Sequence, residues 1–284
     1  MKFFSIGRRF LAFLLVLFFC FSCVSSFAEE IGELDADAVY EEGQQYITGL
    51  NVEQNVPKGI ALIVLAANAG SAKAMIEVGA MYSSGFGRIL SSDYQEGDEA
   101  DLALYWYEKA AEAGEKELAA AAISTDAFSY FLGSEDGFIQ EDDAVALRYF
   151  QKAAEYGDPD AINMMVAFYS YGFGVEQDPG KALELGSSLA EKGNAEALYS
   201  LEDYAYAYYA GTKEGIDINF NTAFSYYSKL TEFGNERAMY NVGLLYEFGL
   251  GVAADHAKAV EWITKSRDAG YEPAEELLVQ LTAN

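Results

Sequence analysis

The chain has 284 residues, of which 51% are hydrophobic and 22% are charged, so it is rich enough in apolar residues to form a packed core. Its formal net charge of −27 at pH 7 makes nucleic acid and anionic membrane surfaces poor partners, because phosphate groups are bound by clustered Lys and Arg. Such an acidic surface suits a basic partner, and it equally suits a protein that is simply soluble.

The N-terminal residues differ in composition from the rest of the chain. Lys2, Arg8 and Arg9 precede an apolar run over residues 10–21, and Ser26-Phe27-Ala28 then supplies small residues at the positions that a signal peptidase reads. These three parts are typical of a secretory signal peptide. We therefore predict that residues 1–28 are a cleaved signal peptide and that the protein is exported, to the periplasm or to the extracellular space. A permanent membrane anchor is the alternative, although the apolar run is short for a bilayer span.

Both cysteines of the chain, Cys20 and Cys23, lie within this segment. The mature chain would therefore contain neither a disulfide nor a thiol nucleophile. A lipid anchor on Cys23 is disfavoured, because the bulky Phe21 stands where small residues are usual. We expect no stable membrane insertion after cleavage.

Six glycines, spaced by 36 to 44 residues, reveal an internal repeat in residues 29–284: Gly70, Gly114, Gly157, Gly193, Gly234 and Gly270. Four residues after each glycine stands a mostly small apolar residue: Ala74, Leu118, Ala161, Ala197, Ala238 and Ala274. Eight residues before each glycine stands a large apolar residue: Leu62, Trp106, Tyr149, Leu185, Tyr226 and Trp262. This common register predicts one structural unit for each glycine.

The residue types at these positions predict pairs of antiparallel helices. A glycine can adopt the left-handed conformation that ends a helix, and Ser71, Asp158, Asn194 or Asn235 directly after it can cap the next helix. The alanines let two helices approach closely, and the large residues fill the layer between them.

One unit is written out most fully between Ala238 and Lys265, as Ala238-x-x-x-Val242-Gly243-x-x-Tyr246-x-x-Gly249-x-Gly251-Val252-x-x-Asp255-x-x-Lys258-Ala259-x-x-Trp262-x-x-Lys265. This string closely resembles the Sel-one-like repeat, a relative of the tetratricopeptide repeat. The resemblance implies an all-α, right-handed superhelical solenoid of about six antiparallel helix-pair repeats, with a concave face used for protein contacts. We predict that residues 29–284 form this solenoid and end in a capping helix that begins near Ala274.

Three parts of the chain depart from the repeat pattern. The third repeat has Leu118, Ile123 and Asp126 where Ala, Gly and Tyr are expected. The fifth has Glu202 at the glycine position and is predicted to carry an extra helical turn. Residues 88–101 are a polar insertion in the second repeat, which we expect to form an enlarged surface loop.

Tyrosines and carboxylates crowd the first helix of the fifth repeat, at Glu202, Asp203, Tyr204, Tyr206, Tyr208 and Tyr209. Tyrosines at spacings of two, three and four cannot all lie on one face of a helix, so two or three of them would be in the core and the others outside. Exposed tyrosines favour protein recognition, and the carboxylates beside them would suit a partner with Lys or Arg. We predict these six residues as a protein-binding site.

Other candidate sites carry less chemistry. His256 is the single histidine and is expected on the surface, and the mature chain has no second ligand of the His or Cys type for a zinc site. Carboxylates between Ser134 and Asp143 would suit calcium, but the EF-hand spacing is absent, and a solvated loop explains them more simply. We predict no catalytic residue, no cofactor and no metal.

These observations predict an exported helical-repeat scaffold for protein–protein interaction, in the bacterial periplasm or envelope. A secreted effector or colonisation factor that binds host proteins is the alternative. Cysteine-rich relatives of the repeat are linked to binding or hydrolysing β-lactam-like compounds, but this chain lacks the paired cysteines of those relatives, so we predict that it is not an enzyme.

Overall fold

The computed structural model describes residues 35–90, 95, 97–133 and 139–283. These ranges contain thirteen helices of ten or more residues and no strand. In chain order they are α1 (Ala36–Thr48), α2 (Val56–Asn68), α3 (Ala72–Ser83), α4 (Glu99–Glu112), α5 (Lys116–Leu132), α6 (Asp143–Glu155), α7 (Pro159–Tyr171), α8 (Pro179–Glu191), α9 (Ala195–Ala210), α10 (Phe220–Glu232), α11 (Glu236–Phe248), α12 (His256–Asp268) and α13 (Pro273–Thr282). The predicted all-α fold is confirmed.

Two predicted segments lie wholly or partly outside the described residues. The predicted signal peptide, residues 1–28, is outside, and so are residues 134–138 of the carboxylate-rich segment between Ser134 and Asp143. The polar insertion, residues 88–101, is described in part. A single helical turn, Gly87–Leu90, enters it, and α4 begins inside it at Glu99, so its last residues are helical instead of forming a loop.

The helices pair with their neighbours in sequence, within two compact units that divide after Ala119. In the first unit α1 packs against α2 and α3 against α4. In the second unit α7 packs against α8, α9 against α10 and α11 against α12, while α13 follows and packs against α12. The odd-numbered helices from α1 to α11 are thus the first helices of six repeats, and the even-numbered helices are the second. The predicted repeat number is confirmed, and the handedness of the superhelix stays a prediction.

The turn between repeats has the predicted capping geometry. Gly193 has a φ of 88° and donates its amide to the Ala190 carbonyl (2.9 Å), while the Asn194 amide donates to the Leu189 carbonyl (3.1 Å). This pattern satisfies the last carbonyls of α8. The Asn194 side chain then accepts the Ala197 amide (3.1 Å) and so caps α9. Both ends of the turn are therefore encoded by local sequence.

Small residues set the distance between paired helices. A Cβ atom on Gly79 would lie 2.6 Å from Tyr107 Cε1, and one on Gly243 would lie 2.5 Å from Ile263 Cδ1. Neither contact is possible for a real Cβ, so these glycines allow the closest approach of α3 to α4 and of α11 to α12. The predicted alanine positions are buried, as Ala238 illustrates with no exposed surface.

The third repeat meets the alanine requirement in a different way. Leu118, which occupies the alanine position by sequence register, is 50% exposed, and the next residue, Ala119, is fully buried. The buried face of α5 is thus rotated by one residue at its start. This rotation explains why a leucine is tolerated at Leu118.

Candidate protein-binding face

A backbone hydrogen bond marks one tyrosine position in five of the six repeats. The residue that caps the second helix donates its amide to the carbonyl of a tyrosine near the end of the first helix: Asn55 to Tyr46 (2.8 Å), Asp142 to Tyr130 (2.7 Å), Asp178 to Tyr169 (2.8 Å), Asn219 to Tyr208 (2.8 Å) and Asp255 to Tyr246 (3.0 Å). This bond joins the two helices of a pair at the end where the chain passes from one to the other. We call these five residues the tyrosine position.

The first helix is longer in the third and fifth repeats. Helix α5 has 17 residues and α9 has 16, whereas α7 and α11 have 13. The extra turn predicted for the fifth repeat is confirmed, and α5 has one as well. The repeat register predicted a tyrosine at position 126, where the chain has an aspartate. The structure shows that Tyr130, about one turn later, takes that role. In the fifth repeat the corresponding residue is Tyr208.

Tyr204 and Tyr208 are core residues, which corrects their prediction as partner-binding residues. Their exposed fractions are 8% and 2%, and both belong to an apolar cluster shared by the fourth, fifth and sixth repeats. Burial, assisted by the nearby Tyr171, raises the pKa of Tyr208 to about 12, and it raises the pKa of Tyr204 further. The physical reason is the repeat register, because Tyr208 occupies the tyrosine position and Tyr204 lies one turn before it on the same face.

Tyr206 lies on the opposite face of α9 and is 50% exposed. Tyr199, seven residues earlier and hence on the same face, is 74% exposed. Tyr209 is partly buried, because its ring packs edge-on against Phe220 (5.8 Å between ring centroids). The prediction that α9 presents some tyrosines outward therefore holds for Tyr206 and in part for Tyr209, and Tyr199 joins them.

The two carboxylates of the predicted site are engaged within the chain. Glu202 accepts a hydrogen bond from Asn235 Nδ2 (3.0 Å) and pairs with Arg237 Nη1 (2.9 Å), so it links α9 to the start of α11. Asp203 pairs with Lys213 Nζ (2.6 Å), in the loop after α9. Each carboxylate would have to exchange an internal cation before it could bind a partner's cation fully.

Sequence reasoning missed Arg237, Tyr240 and Tyr271. Tyr240 and Tyr271 meet edge-on (5.2 Å between ring centroids), and the side chain of Arg237 is 62% exposed. Burial raises the pKa of Tyr240, and the nearby Tyr271, Glu276 and Tyr209 raise it further. The repeat alignment contained the signal, because Tyr240 has the same offset from Gly234 as Tyr199 has from Gly193.

Five tyrosines of α9, α11 and the segment before α13 are exposed or partly exposed, and we treat them as one candidate surface. It consists of Tyr199, Tyr206 and Tyr209 of α9, Tyr240 of α11, and Tyr271 before α13, and we call it the tyrosine face. Glu202 and Arg237 form the ion pair beside it. Aromatic rings with hydroxyl groups and a nearby charge pair can bind a protein segment, through apolar contact and hydrogen bonds together.

In the described part of the chain, the other candidates do not form a recognisable catalytic or metal-binding site. His256 is on the surface as predicted, with Nδ1 2.8 Å from Glu247 Oε2. Among the described residues, no group of three or more His, Cys, Asp or Glu side chains is arranged to hold a metal ion. Nor does any helix in these ranges have the length and apolarity to cross a membrane.

Six consecutive segments of the chain match the Sel1 repeat: residues 36–71, 72–115, 127–158, 159–194, 198–232 and 236–271. Together they account for most of the 284 residues. The chain belongs to the Sel1 repeat family. Sel1 repeat proteins generally mediate protein–protein interaction and are typically without enzymatic activity. The third match begins only at residue 127, because the longer α5 displaces the repeat signature toward its C-terminal end.

Three similar proteins illustrate how much of the chain each likeness covers. The chain is 31% identical over 152 residues to chitin synthase regulatory factor 4 of Schizosaccharomyces pombe, over 53% of this chain and 23% of that protein. It is 47% identical over 51 residues to the ERAD-associated E3 ubiquitin-protein ligase component HRD3A of Arabidopsis thaliana, over 18% of this chain and 8% of that protein. A solved Sel1 repeat protein from Oxalobacter formigenes is 27% identical, with 87% of this chain and 76% of that chain covered and a TM-score of 0.42. The chain thus spans under a quarter of the length of these two curated relatives.

Proposed function

We propose that this Sel1 repeat protein is an exported scaffold that binds a Lys- or Arg-bearing segment of another protein on its tyrosine face. The observation that carries the proposal is the pair of outward tyrosines on the lengthened α9, Tyr199 (74% exposed) and Tyr206 (50% exposed). Two large rings on one helical face supply apolar contact area, and little conformational entropy is lost when they bind. Tyrosines are for this reason common in the hot spots of protein interfaces.

The charge of the chain favours a basic partner. The net charge is −27, and many of the described cations are held in ion pairs with carboxylates of the same chain, as Lys213 and Arg237 are on either side of α9. The remaining negative charge would attract a cationic segment and accelerate its association, and the attraction would weaken as salt is added. Export follows from the predicted signal peptide in residues 1–28, and it would bring the tyrosine face to partners in the periplasm or envelope.

The binding test compares the wild type with a Tyr199→Ala, Tyr206→Ala double variant. Both side chains are exposed, so the fold should be unaffected, which circular dichroism checks. Affinity capture of the mature protein from its own envelope fraction supplies the partner, and titration calorimetry on the purified pair then measures the affinity. Loss of two aromatic contacts of at least about 1 kcal/mol each weakens binding tenfold or more.

The matched control is Tyr105→Ala, because Tyr105 is 49% exposed but lies on α4, in the first unit. It should leave the affinity unchanged. Equal affinities for the double variant and the wild type would refute the proposed face, and a partner whose affinity does not fall with salt would refute the charge argument. Export is tested separately: mass spectrometry of the protein from cell fractions should find a mature N-terminus at residue 29 in the envelope or the medium, and an uncleaved protein in the cytoplasm would contradict it.

A further inference from the structure

A lysine recurs at one position of the second helices. Five residues before the glycine that follows each of these helices, α4, α6, α10 and α12 have Lys109, Lys152, Lys229 and Lys265. The first three pair with the glutamate three residues later: Lys109 with Glu112 (2.7 Å), Lys152 with Glu155 (2.8 Å) and Lys229 with Glu232 (2.7 Å). Lys265 pairs with the glutamate four residues earlier (2.7 Å). A lysine beside a carboxylate is thus a repeated feature of these helices.

Helix α8, in the fourth repeat, keeps the glutamate but lacks the lysine. Glu191 stands two residues before its glycine, as the paired glutamates of α4, α6 and α10 do, whereas Ser188 stands at the lysine position. The side chain of Glu191 is 61% exposed, and Lys229 Nζ of α10 approaches it to 3.4 Å. The same Lys229 Nζ lies closer to Glu232, on its own helix (2.7 Å). One ammonium group therefore serves two carboxylates, so one negative charge is left over beside α8.

A groove of about 400 Å³ lies between α8 and α10, where the lysine is missing. Six residues line it: Leu183, Glu184, Ser187, Ser188, Glu191 and Lys229. Leu183 and the alkyl stem of Lys229 offer apolar surface, and Glu191 offers a carboxylate. Ser187 is 5% exposed, and its hydroxyl has no hydrogen-bond partner in the part of the chain that the structure describes. The groove therefore combines apolar walls with polar groups that can receive a cation.

Two other charged side chains lie close to this groove. Glu184, which lines it, pairs with Lys181 of the same helix (3.1 Å). Lys192 is next to Glu191 in sequence, but it lines a different groove, together with Ala154 and Ile162. The surplus carboxylate is therefore Glu191. A cation that enters the groove can reach it while Lys229 stays with its nearer partner.

We propose that this groove binds the side chain of a lysine of another protein, with the ammonium group beside Glu191. The lysine would supply the residue that α4, α6 and α10 carry themselves, and its alkyl stem would lie against Leu183. Ser188 and Glu191 are exposed at the groove, so a lysine can enter it while its backbone stays outside. The groove lies on second helices, whereas the tyrosine face is built mainly on first helices, so the two sites stand or fall independently.

The expected affinity of a single side chain is low. An exposed ion pair strengthens binding by at most about fivefold, and each methylene group that leaves water adds about fourfold. We therefore expect an isolated lysine side chain to bind with a dissociation constant on the order of millimolar, which chemical shifts in NMR spectra can measure. In a partner protein this contact would add to others.

The test is a titration of the ¹⁵N-labelled full chain with the peptide acetyl-Ala-Lys-Ala-amide, followed by two-dimensional NMR. The peptide should shift the amide signals of Ser187, Ser188 and Glu191 saturably. The same peptide with an acetylated lysine side chain carries no charge and should bind several-fold more weakly. Glu191→Gln should weaken binding of the charged peptide about three- to fivefold. Ser188→Lys restores the missing lysine within the chain, and should weaken it at least as much by occupying the groove.

Each variant has a control with the same change of charge. Glu155→Gln removes the equivalent carboxylate of α6, which has Lys152 beside it, and Gln280→Lys adds a cation at an exposed position of α13. Both should bind the peptide as the wild type does. The spectra of all four variants also report whether the fold is retained.

Three results would overturn the proposal. The first is the absence of saturable shifts around Ser188 in the wild type. The second is equal binding of the charged peptide to the wild type, Glu191→Gln and Ser188→Lys. The third is binding of n-butylammonium, a free amine, at Glu191 without binding of the peptide, which would assign the groove to a small amine. Shifts confined to Tyr199 and Tyr206 would likewise contradict the groove, while they would support the tyrosine face.

Discussion

Gly79 is the residue at which the close approach of two helices can be measured most directly. In a Gly79→Ala variant the new Cβ would lie 2.6, 2.8 and 3.0 Å from three ring atoms of Tyr107, whose side chain is 1% exposed. A fully buried ring cannot move aside freely, so α3 and α4 must separate. Overpacking of this kind costs roughly 1–3 kcal/mol, against a gain of about 1 kcal/mol from replacing a helical glycine by alanine. We expect a net destabilisation of up to about 2 kcal/mol.

The assay is urea denaturation followed by the fluorescence of Trp106, in a Trp262→Phe background, so that the signal comes from the first unit. Ala80→Gly is the matched control, because it measures the propensity difference at the next position of α3 and should cost about 1 kcal/mol. Adding Tyr107→Leu to Gly79→Ala should cost less than the sum of the two single changes, since the smaller side chain relieves the clash. A Gly79→Ala variant more stable than the wild type would refute the close approach of α3 and α4.

Three further outcomes follow from the second unit. Asn194→Ala removes the cap on the Ala197 amide and should destabilise the protein by about 1 kcal/mol in urea denaturation, whereas Asn194→Asp should cost little. Tyr226→Phe removes a hydrogen bond from the Tyr226 hydroxyl to the Pro179 carbonyl (2.9 Å) and should cost about 1 kcal/mol, with no change in the circular dichroism spectrum. The pKa of Tyr208 is raised from about 10 to about 12, so its contribution to stability is complete below pH 10 and is lost as the pH rises through 12. Stability measured from pH 9 to pH 12 should therefore fall less steeply in Tyr208→Phe than in the wild type, and equal slopes would contradict the burial of this hydroxyl.

The fold was largely predictable because its determinants are local and repeated. A glycine at a helix end and a capping residue after it act through the backbone of a few neighbouring residues, and Gly193 with Asn194 shows that the predicted geometry forms. The alanine positions were predictable for the same reason. The pattern recurs six times, so a departure from it in one repeat does not hide the pattern. The exception is Leu118, where one residue of rotation at the start of α5 moved the buried position to Ala119.

The candidate site was predictable only in part. The crowded tyrosines of α9 identified the right helix, but which of them face outward depends on the helical phase, and an extra turn of uncertain place leaves that phase undetermined from the sequence. The structure establishes the helical phase. The Asn219 amide donates to the Tyr208 carbonyl, so Tyr208 occupies the tyrosine position, and its side chain is buried in the core. Tyr206, two residues earlier, is consequently on the outer face.

The amino-acid sequence by itself determined the repeat, the ends of its helices and the surplus of negative charge, because these depend on local backbone conformation and on composition. Only the tertiary structure decided which charges remain available, since Glu202 meets Arg237 across two repeats and no local pattern encodes that contact. It also decided that Val166 is 2% exposed and Val279 is 60% exposed, although each valine stands nine residues after the glycine that precedes its helix. Burial is a property of the neighbouring helix, and a residue's own sequence context does not contain it.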